Sequence, residues 1–460
     1  MIQTDSKKAK LHQLMVILIP ILITQVGMYS MNFFDTMMSG HYSAKDLAGV
    51  AIGSSLWVPI STGLTGILIA ITPIVAQLIG ANKEKEVSLS VIQGVYVAMM
   101  MTFLILLIGS FVLNPILNGM ELEQGVHKVA HDYLIAISFG VFPLFIYNAL
   151  RSFIDALGKT RISMLIILSA LPINAFLNYL FIYGKAGFPE LGGVGTGYAT
   201  ALTYWILLLF SIVIVYKQKT FSHYQIFRGL RFVSLKKMGE ILLVGIPIGL
   251  SIFFETSIFS AVTLFMSEFD TITIASHQIA MNFSSLLYMI PLSISMALTI
   301  LVGFEIGAKR YHDAKQYSWL GVIVAVIMAI FSGLIILFLR TEVASMYSKD
   351  PLVIELSIQF LLYALFFQLS DAFQAPIQGS LRGYKDVNVT FIMSLLSYWV
   401  IGLPLGYVLA KFTHLGPFGY WIGLIAGLAV GAICLSSRLL YIQKKIDKHN
   451  TDKFLNKTAS

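Results

Sequence analysis

Three acids stand inside long apolar stretches of this 460-residue chain: Asp35, Glu255 and Asp371. A carboxyl in hydrocarbon costs free energy and persists where it binds something. It can hold a proton, a small hard cation or an organic cation, one at a time. That exclusive choice is the minimal chemistry of exchange across a membrane. Most remaining acids fall in polar connections or at the ends of apolar runs.

Asp35 has oxygen-bearing company. Asn174 and Asn178 are i and i+4 and share one helix face. Thr196 falls near the start of the next apolar run, and the direction of the runs puts all four at similar depth toward the outer side. One carboxylate with amide and hydroxyl oxygens suits Na⁺, or a protonatable carboxyl in a polar network. The set is too poor in charge for a tight divalent site, and no transition metal is expected. The same Asn and Thr groups would serve equally as packing hydrogen bonds between helices. Glu255 and Asp371 fall near the middle of two other runs, about 8 Å apart along the normal by rise per residue. No Lys or Arg is expected at that depth to neutralise them. A structural carboxyl bonded to Ser or Tyr is the alternative. Gln278 is a further polar candidate. Met28, Met31, Phe253, Phe254, Met281 and Phe366 belong to Met- and Phe-rich runs of the adaptable kind that accept varied apolar ligands.

The elements that must position these groups are membrane helices. The chain is 57% hydrophobic and 12% charged, against roughly a quarter charged in soluble domains. Runs of about 20 apolar residues match a ~30 Å hydrocarbon core. Lipid offers the backbone no partner, which leaves helices or closed barrels; barrels would show short alternating segments. About twelve spans are expected, at 14–38, 48–78, 91–116, 132–155, 162–183, 193–216, 240–266, 276–304, 317–340, 352–380, 389–410 and 419–442. The expected division is an N-lobe at 1–216, a linker at 217–239, a C-lobe at 240–442 and a basic tail at 443–460. Of the 31 Lys and Arg, all but Lys45, Lys128, Lys185, Arg340, Lys349 and Lys411 fall on one side. The basic side is cytoplasmic, so both termini are expected there, in a multi-pass protein of the cell membrane.

The halves repeat. At a shift of 227, Ile19-Pro20-Ile21 meets Ile246-Pro247-Ile248, Ile79-Gly80-Ala81 meets Ile306-Gly307-Ala308, and Gly94 meets Gly321. The fold class is therefore an all-α polytopic membrane protein of about 12 transmembrane helices in two pseudo-twofold-related six-helix lobes. Pro20 and Pro247, at matching places, are candidate gates or static kinks. The acids do not repeat: Asp35 aligns with Val262, Glu255 with Met28, and Asp371 with about Ile146.

Other classes are set aside. The net charge of +8 is spread over short loops, not gathered into a nucleic-acid surface. Cys434 is the single cysteine, so no intrachain disulfide forms. The first run is too long for a cleaved signal and reads as a first helix. The glycine-rich segment Gly192–Ala199 follows no strand and reads as close helix packing. His127 and His131 are i and i+4 but lack the glutamate of a zinc-protease motif. No nucleotide-binding motif or nucleophile–base pattern is present, so no ATPase subunit, cofactor or enzyme activity is expected.

The segments "MNFFDTMMSGH" around Asp35, "GIPIGLSIFFETSIF" around Glu255, "QLSDAFQ" around Asp371 and "LGKTRISM" after the fourth span resemble the multidrug and toxic compound extrusion family, in its NorM-like bacterial branch. The resemblance covers about residues 10 to 440. It implies antiport of small-molecule drugs and dyes against Na⁺ or H⁺ by rocking of two lobes among membrane lipids; a monomer is expected. It implies that Asp35, Asn174, Asn178 and Thr196 form an N-lobe cation site. Glu255 and Asp371 would be the C-lobe acids, Gln278 a substrate position and Asp350 an outer-loop acid. Position 367 is Phe here, where some relatives carry Tyr, which puts Na⁺ coordination in that lobe in question. A lipid or lipid-linked saccharide flippase is the alternative; it should need a basic cleft.

Overall fold

The computed structural model describes residues 3–4, 6–120, 122–227 and 232–458. Residues 228–231 of the expected linker and 459–460 of the expected tail lie outside the described residues. Among the described residues every regular element is helical. In chain order these are α1 (Lys7–Tyr42), α2 (Ala44–Ile69), α3 (Ile71–Gly80), α4 (Glu84–Asn118), α5 (Gln124–Ser138), α6 (Val141–Ala156), α7 (Thr160–Tyr183), α8 (Val194–Lys217), α9 (Lys219–Ser222) and α10 (Leu235–Met266). Then follow α11 (Thr271–Gly307), α12 (Tyr311–Tyr347), α13 (Pro351–Tyr384), α14 (Val387–Leu395), a π-helical stretch Leu396–Gly402, α15 (Leu403–Phe412) and α16 (Pro417–Thr458). Eleven spans are long and apolar enough to cross a membrane, and α5 with α6, bent by 49°, makes a twelfth. The protein is a multi-pass helical membrane protein.

The helices start and stop where local chemistry directs. Ser43, Asp270 and Asp350 each accept a bond from a backbone amide in the first turn they open, satisfying donors the helix itself cannot. Side-chain and amide bonds from Thr273 hold the Asp270 carboxyl below the usual carboxylate range. The repeat is exact to the residue at two of these boundaries: α3 ends at Gly80 and α11 at Gly307, while α4 starts at Glu84 and α12 at Tyr311. In the glycine-rich entry to α8, a Cβ on Gly195 would lie 2.7 Å from the backbone of Phe181, so only glycine lets α7 and α8 approach this closely.

The chain divides into two compact units. The N-unit is Ile19–Gly249; the C-unit is Met1–Leu18 with Leu250–Ser460. The boundaries therefore fall inside α1 and α10, not in the linker. The first residues of α1 belong to the C-unit, and the first residues of α10 to the N-unit. Large aromatic side chains fill each interior: Phe145, Tyr147 and Phe153 in the N-unit, Phe360, Tyr398 and Trp421 in the C-unit. In the C-unit the Trp421 indole donates to His277 Nδ1 at 3.1 Å, so the His277 proton sits on Nε2, facing Thr263 Oγ1 at 3.2 Å. Outer faces are apolar instead of charged. Phe103 and Phe111 on α4 and Phe331 and Phe338 on α12 are all two-thirds exposed or more, as lipid contact requires.

Two arginines assigned to loops by the sequence lie in the last two turns of helices, enclosed by protein. Arg151 and Arg382 are buried, at 7% and 4% exposure. Each was expected in a loop because charge marks span ends. Yet α6 continues through Arg151, whose guanidinium meets Asp155 one turn on at 3.4 Å, and α13 runs on to Tyr384. A paired charge does not end a buried helix. The expected basic tail is likewise helical, because α16 continues past residue 442.

Candidate functional site

In the N-unit, α1, α7 and α8 bring three sets of oxygens together. Asn178 Nδ2 donates to Asp35 Oδ1 at 2.6 Å and to Asn174 Oδ1 at 3.2 Å. Thr200 Oγ1 donates to Asp35 Oδ2 at 3.0 Å. Asn174 Nδ2 donates in turn to Thr203 Oγ1 at 3.3 Å. Asn174, Asn178 and Thr203 are fully buried, and Thr200 nearly so. Asn178 Oδ1 is buried with no donor facing it. A buried acceptor without a donor is costly in an apolar setting. The result is one carboxylate and an unmatched amide oxygen in a neutral polar shell, a donor set that fits a monovalent cation or a proton.

Thr196 stands one link away. Its hydroxyl donates to Gly193 O at 2.7 Å and lies 2.8 Å from Ser39 Oγ, one turn beyond Asp35 on α1. Thr200 and Thr203, which the sequence reading passed over, sit four and seven residues after Thr196. That spacing places all three on one face of α8, and it was the signal that would have found them.

In the C-unit, Glu255 on α10 accepts from Tyr288 Oη of α11 at 3.1 Å. Asp371, Gln374, Gln378 and Arg382 follow one another on the buried face of α13. Gln378 Nε2 donates to Ser251 Oγ, one turn before Glu255, at 3.2 Å. Gln374 Nε2 donates to Tyr398 Oη, on the π-helical stretch, at 2.5 Å. The next residue, Trp399, donates to the Phe254 carbonyl at 3.0 Å, beside Glu255. Asp371 Oδ2, Gln368 Oε1 and Gln374 Oε1 are buried with no donor. Asp371 and Arg382 both act electrostatically on Glu255, so the expectation that no Arg accompanies the acids is corrected for Glu255 alone: the guanidinium offsets part of that one charge. Gln374 and Gln378 were legible as i+3 and i+7 from Asp371. Tyr288 and Tyr398 arrive from other helices and leave no local signal.

Gln278 and Asp350 do not join this cluster. Gln278 is exposed, 3.5 Å from Asn282, and about 15 Å along α11 from Tyr288. Asp350 caps the start of α13 through Leu352 N at 2.9 Å, about 32 Å of helix from Asp371. Pro20 and Pro247 lie inside α1 and α10, which continue through them. Phe33 and Phe366 are mostly exposed, whereas Met31 and Phe367 are buried.

Two like-sized halves, each enclosing a carboxyl among polar side chains, define a helical membrane protein built on an internal repeat. The chain belongs to the MatE family, whose pattern matches residues 20–180 and again 247–408. It is 58% identical over 446 residues, 97% of each chain, to "Probable multidrug resistance protein NorM" of Halalkalibacterium halodurans. It is 56% identical to the Bacillus subtilis protein of the same description, over 96% of this chain and 98% of that one. The fold is also that of "eukaryotic MATE transporter AtDTX14", with a TM-score of 0.86 at 19% identity, covering 96% of this chain and 98% of that one. A structure described as an "outward-facing conformation of a multidrug resistance MATE family transporter of the MOP superfamily" gives a TM-score of 0.86 at 19% identity, over 95% and 96% of the two chains.

Proposed function

We propose that the chain is a multidrug efflux antiporter of the cell membrane. It exports amphipathic, often cationic organic molecules in exchange for Na⁺ or H⁺, with both termini in the cytoplasm. The observation that carries this reading is the Asp35 cluster: a carboxylate held from two sides by Asn178 and Thr200, with Asn178 Oδ1 left as an unmatched acceptor beside it. A cation or proton arriving there satisfies oxygens that otherwise cost free energy. The relatives named as multidrug resistance proteins at more than half identity support the substrate class.

In this reading Asp35, Asn174, Asn178 and Thr200 hold one coupling ion, and Glu255 and Asp371 hold another ion or the cationic substrate. Thr196 supports the first set through Ser39. Binding of one ligand excludes the other, which couples the fluxes. Entry of one positive charge contributes about 2.3 kcal/mol per 100 mV of membrane potential. The flippase alternative gains little from the buried arginines, since Arg151 meets Asp155 and Arg382 faces Glu255.

Everted vesicles with imposed Na⁺ or H⁺ gradients test the proposal. Efflux of an organic cation should follow one of the two gradients in the wild type. It should fail in Asp35→Asn, Glu255→Gln and Asp371→Asn. Transport indifferent to both gradients, or full activity in all three variants, would overturn it.

A further inference from the structure

Outside the membrane acids, two groups of the described ion pairs repeat between the halves. In the N-unit, Glu86 in the first turn of α4 stands between two lysines. Lys83 Nζ, at the cap of α4, is 3.1 Å from it, and Lys237 Nζ, near the start of α10, is 3.3 Å from it. In the C-unit, Asp313 in the first turn of α12 also stands between two cations. Arg310 Nε, at the cap of α12, is 3.8 Å from it, and Lys10 Nζ, near the start of α1, is 2.6 Å from it. Residues 83, 86 and 10 become 310, 313 and 237 when 227 is added. The two triads are therefore equivalent under the internal repeat. Two of the three positions changed residue type between the halves, Lys to Arg and Glu to Asp, yet every charge kept its sign.

The anchors continue inward. One turn past each lysine, Leu14 and Ile241 are equivalent and fully buried. Lys10 is also tied to Gln316 Oε1 at 2.5 Å, and Gln13 accepts from Tyr317 Oη at 2.8 Å. Single exposed ion pairs stabilise a fold little. What matters is which elements these ones join. Helix α1 carries Asp35, which lies in the N-unit, while its start lies in the C-unit; α10 carries Glu255, which lies in the C-unit, while its start lies in the N-unit. Each acid-bearing helix is pinned to the unit that does not hold its acid. Any relative movement of the units must bend these two helices or part the pairs at their starts.

We propose that Lys10 and Lys237 are equivalent positioning residues: each pins the start of an acid-bearing helix through Asp313 or Glu86, and both pins part and re-form in every transport cycle. The proposal rests on the antiport reading and adds to it the contacts that must release.

Cysteine pairs test it in the full-length chain, with Cys434→Ser as background. One protein carries Lys10→Cys with Asp313→Cys; the other carries Lys237→Cys with Glu86→Cys. Both are purified and placed in liposomes. In the reduced form, with the other pin intact, uptake of an organic cation dye stays measurable. Oxidation of either pair should cut uptake at least about tenfold, because a cycle cannot complete with one state locked, and a reducing agent should restore it. Uptake unchanged in fully cross-linked protein overturns the proposal. The rate of cross-linking, read by gel mobility, does not depend on transport. It should change when a Na⁺ or H⁺ gradient is imposed, and an unchanged rate also overturns the proposal. A reduced protein that moves no organic cation under either gradient overturns the antiport reading instead. Charge reversal is the second test: Lys10→Glu and Lys237→Glu should each lower uptake about tenfold, one kcal-scale interaction lost and one repulsion gained. One sensitive and one silent site would end the equivalence.

Discussion

The two units hold their buried charge by different means and arrive at the same sum. In the N-unit, Arg151 is matched by Asp155, and Asp35 is left in a shell of neutral amides and hydroxyls. In the C-unit, the buried Arg382 acts on Glu255, and Asp371 feels Glu255 but no guanidinium. Each interior thus carries one carboxylate in excess, with every group ionised. The internal repeat carries the helices but not the acids: Val262 stands where Asp35 would repeat, and Met28 where Glu255 would. The net charge of an interior sets what it can bind; the residue that supplies it is free to move. The N-unit sets one carboxyl beside one unmatched amide oxygen, Asn178 Oδ1, whereas the C-unit sets two acids beside the unmatched oxygens of Gln368 and Gln374.

The largest test removes the guanidinium that equalises the two sums. Arg382→Met removes the cation that acts on Glu255, a carboxyl that already feels Asp371, and leaving a buried charge without its offset costs up to about 3–5 kcal/mol. Thermal unfolding in detergent should fall accordingly. Adding Glu255→Gln to Arg382→Met should recover most of that loss, and a double variant no more stable than the single would break the charge-sum comparison. Next come the excess carboxyls. Asp35→Asn and Asp371→Asn should each lower gradient-driven efflux about a hundredfold, roughly 2.7 kcal/mol, in the vesicle assay. A much deeper loss in one unit than the other would show that only one interior couples.

A smaller effect separates two threonines on one helix face. Thr200→Val removes a donor to the Asp35 carboxylate, and a bond to a charged group is worth about 1.5–3 kcal/mol. The half-saturating Na⁺ or H⁺ concentration should therefore rise between about tenfold and a little over a hundredfold by the same estimate. Thr196→Val, which touches Ser39 and not Asp35, should stay within about threefold, a few tenths to half a kcal/mol.

The scaffold was plain in the sequence because apolar length and a 227-residue repeat are properties of the chain itself. The position of span four was also plain, though not that it breaks into α5 and α6. The site was legible where partners share a helix with a marked residue, as Asn174 does with Asn178. It was hidden where partners converge from distant helices, as Tyr288 does on Glu255 and Tyr398 on Gln374. Arg382 was misplaced for a different reason. Hydropathy reads every arginine as solvent-facing, and only its acidic neighbour in three dimensions makes burial affordable.

The smallest effect concerns a hydroxyl the C-unit lacks. Phe367 is buried one turn before Asp371, with its ring 5.7 Å from that of Phe259 and 6.3 Å from that of Trp421. An unpaired hydroxyl in this aromatic setting would destabilise the fold. Acceptors without donors are close in sequence, however: Gln368 Oε1 and Asp371 Oδ2. A tyrosine at this position can donate to one of them, and a matched bond contributes about 0.5–1.5 kcal/mol net. Phe367→Tyr should therefore raise thermal stability slightly and leave efflux within about threefold of wild type, a change under 1 kcal/mol. A fall in stability would mean that these oxygens are turned away from the ring. The unmatched oxygens of the C-unit would then stand open to an arriving ligand, as Asn178 Oδ1 does in the N-unit.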